Sequence, residues 1–312
     1  MEGSRGDWRL WSLKAGIWLG KVLPRPVAYA VARLGADLAY RFRHGARGDV
    51  QDNMRHVLGP DATQSKVDAA ARDAFRNVAR YYVDLIRIPS MNLRRMIGKQ
   101  VRLHGLERLT APIEQGRGAV AATAHFGNLE LAVQVSALVG IDTLVLAEPL
   151  QPPAFADAMR RLRSAFGVRY EDVGFGAVAD ALRHLRAGRC LAITCDRDIQ
   201  GKGEPVEFFG VETKMPLGAV QLAARTGAAL IPCYCRRAED GGFDIFFEEE
   251  VPLVNTGNAR DDALVNARRL LERAEAWIRA DPGQWMPLER IWGTVSPATA
   301  GEPVPSPRKK HT

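Results

Sequence analysis

The sequence predicts an α/β protein: a central mixed sheet covered by helices, with a helical N-terminal extension. Three observations predict it. From residue 118 onward, apolar runs of strand length alternate with helix-length segments. Before residue 90, the apolar residues recur at helical spacing and no strand-like run interrupts them. Finally, 46% of the 312 residues are hydrophobic and 25% charged, enough apolar side chains for a large core and too many for a disordered chain.

Each element has its own signal. Residues 8–22 and 26–43 read as two helices parted by "PRP", and "DVQDNMRHVL" as a short third. Residues 64–88 form a long amphipathic helix that Pro89 ends. The strands are 118–124, 142–147, 189–195, 228–234 and 243–249; the helices between them are 128–139, 153–166, 175–187 and 216–226. A helix over 258–280 closes the fold, and the proline-rich, basic end "SPATAGEPVPSPRKKHT" reads as a disordered tail. The organisation expected is a helical, membrane-associating segment over 1–90, an α/β core over 91–292 and a tail over 293–312, with no linker that splits the α/β part.

A net charge of +7 and a pI near 9.4 favour anionic partners such as phospholipid headgroups or nucleotide-like cofactors. Nucleic acid is disfavoured, because no patch interleaves aromatic and basic residues. Cys190, Cys195, Cys233 and Cys235 all lie in apolar strand-like runs; they read as buried reduced thiols, and no metal site is expected. Lysines and prolines interrupt the apolar N-terminal region well short of the ~20 residues needed to cross a bilayer. Trp8, Trp11 and Trp18, half of the six tryptophans, share one face of the first helix. That face suits a membrane–water boundary, and it equally suits packing on the protein's own domain.

Candidate chemistry centres on "AATAHFGNLELA", residues 121–132. Were His125 and Glu130 in one helix, their side chains would point about 140° apart. The pattern places them otherwise. "AVAATA" is a buried strand, Gly127 permits a tight turn and Asn128 is a good N-cap for "LELAVQVSAL". His125 then sits in a strand-to-helix loop, where open α/β sheets carry their sites, and Glu130 in the first helical turn, within reach of one ring nitrogen. Spacing by itself leaves open whether the two groups are a base and its partner or unrelated residues. A second block, "CLAITCDRDIQGKGEPVEFFG", runs from a strand into Asp196, Arg197 and Asp198 and then a glycine-rich loop with Glu204. "KMPLGAVQLAARTG" follows as a helix with Pro216 near its start. The other five histidines read as structural or surface groups.

Taken in order, "HFGNLE" and "CDRDIQGKGEPVEFFG…KMPLGAVQLAARTGAALIPCY" resemble the bacterial lysophospholipid acyltransferase superfamily. The closer resemblance is to its branch of lipid A late acyltransferases and mycobacterial phosphatidylinositol mannoside acyltransferases. It extends from about residue 20 to "QWMPLERIW" near 292. The resemblance implies a catalytic pair at His125 and Glu130, and substrate-binding roles for Glu148 in "LAEPL", for Asp196, Arg197 and Asp198, and for Glu204. It further implies acyl-CoA as co-substrate with no bound cofactor, a membrane lipid as acceptor, and a peripheral place on the cytoplasmic face of the membrane. Under that reading His125 is the general base, Glu130 orients it, and the backbone N–H groups of Gly127 and Asn128 are candidate oxyanion donors. Other readings are a lysophospholipid or lipid A acyltransferase, an acyl thioester hydrolase and a non-catalytic acyl-CoA or lipid binder.

Overall fold

The structure, a computed structural model, describes residues 15–20, 22–150, 153–174 and 176–293. Trp8, Trp11 and the proline-rich tail lie outside the described residues. Helix α1 (15–20) leads to α2 (Arg25–Phe42), α3 (His44–Leu58) and α4 (Gln64–Arg87). Pro26 falls in the first turn of α2, where a missing N–H leaves no hydrogen bond unmade. Thr63 caps α4 from its side chain, and Pro89 ends it in a 3₁₀ turn over Ile88–Ser90.

The expected sheet is present and larger than the sequence pattern indicates. Its seven strands are β1 (Val101–His104), β2 (Ala119–Thr123), β3 (Thr143–Ala147), β4 (Arg169–Asp172), β5 (Cys190–Thr194), β8 (Ala229–Arg237) and β9 (Phe243–Phe247), in the order β1-β9-β8-β2-β5-β3-β4. Every neighbouring pair is parallel except β8 with β9, so the sheet is mixed. The remaining strands, β6 (Glu204–Phe208) and β7 (Val211–Met215), form a separate antiparallel hairpin. Sequence patterning misses β1, β4 and this hairpin. Edge strands are short and polar, and "RYED" in β4 is largely exposed, so alternation never develops. In the hairpin the buried residues are Val206, Phe208, Thr213 and Met215. Its loop, Phe209-Gly210, has positive φ at both residues, the turn that suits the twist of paired strands.

Both faces of the sheet are covered, which is why β2 and β5 are apolar throughout. On one face, Val120, Ala122 and Leu191 pack with α3, α4, α9 (Ala177–Arg186), α10 (Gly218–Thr226) and α11 (Ala259–Ala280). On the other, Ala119, Ala121 and Cys190 pack with α5 (Leu93–Met96), α6 (Leu106–Glu114) and α7 (Leu129–Leu138). Helix α8 (Pro153–Arg163) packs Met159 and Leu162 against Tyr81, Leu85 and Ile88 at the end of α4. Val50, Met54 and Phe75 of the N-terminal helices belong to the same core as the sheet. The four cysteines are free, and burial pushes the Cys190 and Cys235 thiols up to about 12.

His184 ties α9 to the sheet. Its Nε2–H donates to the carbonyl of Cys190 at 2.9 Å, while Nδ1 accepts from Arg169 at 2.8 Å. Burial lowers its pKa from the usual histidine value, and the Arg169 cation adds to this against the opposing effect of Asp142. The unfolded chain therefore takes up this proton more readily. The contribution of His184 to stability is intact above the ordinary value of about 6.5 and is lost as pH falls through and below it. The urea midpoint of the wild-type chain is expected to exceed that of His184→Gln at pH 7.5 by more than at pH 5.5. An equal gap at both values would contradict this assignment.

Candidate active site

The register of the sheet builds the site. β2 and β5 run parallel with Thr123 opposite Thr194. Two residues beyond each lies a polar side chain, His125 on one strand exit and Asp196 on the other. They meet there: His125 Nδ1 lies 2.8 Å from Asp196 Oδ1, and the His125 backbone N–H donates to Oδ2 at 2.9 Å. Trp285 Nε1 gives Oδ2 another donor at 2.8 Å. Asp196 is fully buried. Burial alone would raise its pKa, but the facing His125 and the three donors lower it below the ordinary carboxylate value. A carboxylate accepts, so Nδ1 must carry the proton and donate it. This leaves Nε2 as the free lone pair on a ring whose side chain is 25% exposed.

The loop between β2 and α7 is held on every side. Gly127 has φ of +62°, and a Cβ there would lie 1.8 Å from the Cys235 carbonyl oxygen, so only glycine fits. Its N–H donates to the Gln284 carbonyl at 2.8 Å, and that of Asn128 to the Cys235 carbonyl at 3.0 Å. Both expected oxyanion donors are thus already engaged inside the protein, which corrects that expectation. Asn128 does cap α7, accepting from Leu131 N–H at 3.1 Å, while its amide donates to buried Asp84 at 3.0 Å. Asp84 also pairs with Arg237 at 2.6 Å and accepts from the Tyr29 hydroxyl.

Glu130 stands in the first turn of α7, as expected, but its carboxylate bonds to side chains other than the imidazole. It is buried among Tyr81 of α4, Tyr170 of β4 and Arg163 of α8. Tyr170 donates at 2.6 Å and Tyr81 at 3.3 Å; burial and the adjacent carboxylate push both phenols well above their usual range, so they keep their protons. Arg163 Nε lies 2.7 Å from Oε1 without pointing its N–H at it, an ion pair rather than a straight hydrogen bond. The orienting position beside His125 belongs to Asp196, which corrects the expected His125–Glu130 contact. The reason is geometric: Glu130 is the second residue of the helix, after the chain has turned away from the strand exits.

The remaining candidates separate. Arg197 bridges Glu148 and Glu289, the latter at 2.9 Å, beside Asp196 at the strand exits. Asp198 accepts from the N–H groups of Lys202 and Gly203 and closes the glycine-rich loop on itself. Glu204, on β6, pairs with exposed Arg260 of α11 at 3.0 Å. Among the described residues no three His, Cys, Asp or Glu side chains converge as a metal site requires. Sequence reasoning missed Trp285, Gln284, Tyr81, Tyr170 and Arg163. "QWMPLERIW" carries the first two; what it holds is visible only in space. Gln284 bonds both backbone groups of Arg237, and the Met286 N–H donates to the His125 carbonyl at 2.8 Å.

The chain matches the family described as "bacterial lipid A biosynthesis acyltransferase" over residues 5–294. It is 30% identical over 286 residues to a phosphatidylinositol mannoside acyltransferase of Mycolicibacterium smegmatis, covering 89% of each chain. It is also 30% identical over 290 residues to a phosphatidylinositol mannoside acyltransferase of Mycobacterium tuberculosis, covering 90% of this chain and 88% of the relative.

Gly127→Ala tests how tightly the loop is held. The added methyl meets backbone rather than a movable side chain. The variant is expected to lose ~2 kcal/mol or more in urea unfolding, through overpacking and a strained φ. Wild-type stability would mean that the loop can move away from β8.

Proposed function

The chain belongs to the bacterial lipid A biosynthesis acyltransferase family, and on that premise we propose that it transfers a fatty acyl chain from acyl-CoA to a hydroxyl of a membrane glycolipid such as a phosphatidylinositol mannoside. The observation that carries this reading is the His125–Asp196 pair. An imidazole held by a buried carboxylate at Nδ1 presents Nε2 as a base.

In the proposed reaction Nε2 takes the proton of the acceptor hydroxyl while the oxygen attacks the thioester carbonyl. The C–S bond then breaks, and the imidazolium returns its proton to the leaving thiolate. Asp196 acts through His125: it fixes the tautomer and offsets the charge of the imidazolium. The acceptor itself is the nucleophile, so no serine or cysteine is needed. The raised cysteine pKa values support this, since a protonated thiol is a poor nucleophile. Glu148, half-exposed beside Arg197, is the carboxylate we assign to the polar part of the acceptor. Glu130 holds α4, α8 and β4 together around the site. The basic composition suits the phosphates of CoA.

Labelled acyl-CoA, presented with phosphatidylinositol mannosides, lysophospholipids and lipid A precursors in parallel, is expected to yield an acylated mannoside identified by mass spectrometry. Equal thioester cleavage without any acceptor would make the protein a hydrolase. His125→Ala is expected to lower kcat by at least ~10²-fold. Asp196→Asn is expected to lower kcat with little change in KM, because it acts on the base and not on the substrate.

Glu130→Gln separates the two carboxylates. It leaves Arg163 without its buried counter-charge, and a stability loss of about 3–5 kcal/mol is expected by thermal or urea unfolding. In protein that remains folded, the pH profile of kcat should stay that of the wild type. A shifted profile would return Glu130 to the catalytic base.

A further inference from the structure

Arg197 stands between two carboxylates that come from different parts of the chain. One Nη donates to Glu148, and the other lies 2.9 Å from Glu289 Oε1. Glu148 follows the exit of β3 and Arg197 that of β5, and these strands are neighbours in the sheet. Glu289 arrives from the C-terminal segment, three residues after Met286, whose N–H holds the His125 carbonyl. Arg197 itself follows Asp196, the partner of the imidazole. The trio is thus tied to His125 through both the strand exits and the C-terminal segment.

The fold does not depend on the Glu289 side chain. It is 58% exposed, and an exposed ion pair adds little stability. Other groups hold the backbone around it. Asn53 donates to the Glu289 carbonyl at 2.8 Å and accepts from the Ile291 N–H at 3.0 Å, while Arg290 pairs with Asp49 and Asp52 of α3. Among the described residues, neither the Glu148 nor the Glu289 carboxylate has a partner besides Arg197. Each keeps acceptor capacity that the protein itself does not use.

A carboxylate paired with arginine only accepts hydrogen bonds, so hydroxyl groups are its natural ligands. Two carboxylates on the two Nη groups of one planar guanidinium stand side by side, an arrangement that suits the hydroxyls of a single sugar ring. The same pair repels an acceptor whose phosphate lies next to the reacting hydroxyl, as in lysophosphatidic acid. We propose that Glu289 is a second acceptor-binding residue: with Glu148 it accepts hydrogen bonds from an uncharged sugar ring, and Arg197 holds the two carboxylates together against their own repulsion. The choice of a glycolipid as ligand rests on the acyl-transfer reading above.

Isothermal titration with a deacylated, water-soluble phosphatidylinositol mannoside, with no acyl donor present, reads this subsite without turnover. Glu289→Gln is expected to raise the Kd at least ~10-fold, through loss of a charged hydrogen-bond acceptor, and to unfold at the wild-type urea midpoint. Glu249→Gln, which removes an exposed carboxylate paired with Arg108, should bind as the wild type does. In acyl transfer, Glu289→Gln should raise the KM for the mannoside and leave that for acyl-CoA unchanged. Its preference for the mannoside over lysophosphatidic acid should narrow by at least ~10-fold. Undiminished mannoside binding by Glu289→Gln overturns the proposal, as does an equal rise in the KM for acyl-CoA. Wild-type binding that Glu289→Gln weakens, without acyl transfer by either, would overturn the enzymatic reading and leave the subsite standing.

Discussion

Burying an ionised carboxylate costs several kcal/mol unless donors replace its lost water. Asp196 is fully buried, so the structure around it is arranged to supply those donors. They come from two places far apart in sequence. The His125 ring and backbone lie at the exit of β2, and the Trp285 indole follows the 3₁₀ turn Pro282–Gln284 near the end of the described chain. Removing either would leave a charged oxygen short of partners. The strand exits, the loop and the C-terminal segment are therefore constrained jointly by one group.

The C-terminal segment meets this constraint by acting as a partner strand without being one. Phe126 bridges to Trp285, Gly127 donates to Gln284, and Met286 donates to His125. Gln284 copies a backbone amide toward Arg237 from its side chain, and Asn53 of α3 does the same for Glu289 and Ile291. Trp285 and Trp292 then pack against Phe208 and Phe209 of the hairpin, whose turn sets Phe209 at positive φ so that its ring points inward. The tryptophan block and the Phe-Phe-Gly block thus form one aromatic cluster behind the acid.

The covered sheet and its helices were legible because two-sided burial writes continuous apolar runs, as in "AVAATA" and "CLAIT", and long helices write their own period. β1, β4 and the β6–β7 hairpin were not, since short edge strands keep polar residues and the hairpin's inward positions, Val206, Phe208, Thr213 and Met215, give only two alternations a strand. At the site, the place of His125 at a strand exit and the helix cap by Asn128 could be read from local order. The carboxylate that faces the imidazole could not. Glu130 is five residues from His125 in sequence, and Asp196 is 71 away; parallel register alone makes the distant one the neighbour. Sequence spacing measures distance along the chain, and a parallel sheet discards that distance in favour of strand order. The same limit hid the Glu130 cluster, whose partners come from α4, α8 and β4.

The inner side of α2 bears on how the His125 loop is held. Tyr29 donates to Asp84, Asp84 pairs with Arg237 and accepts from Asn128, and Asn128 caps the helix that follows the His125 loop. Asp84 is buried with all of these donors in place, so this chain is as constrained as the Asp196 cluster. Side chains on the inner face of α2 cannot rotate freely, and its exposed residues, Val31, Leu34 and Leu38 among them, cannot turn inward without breaking buried charge pairing.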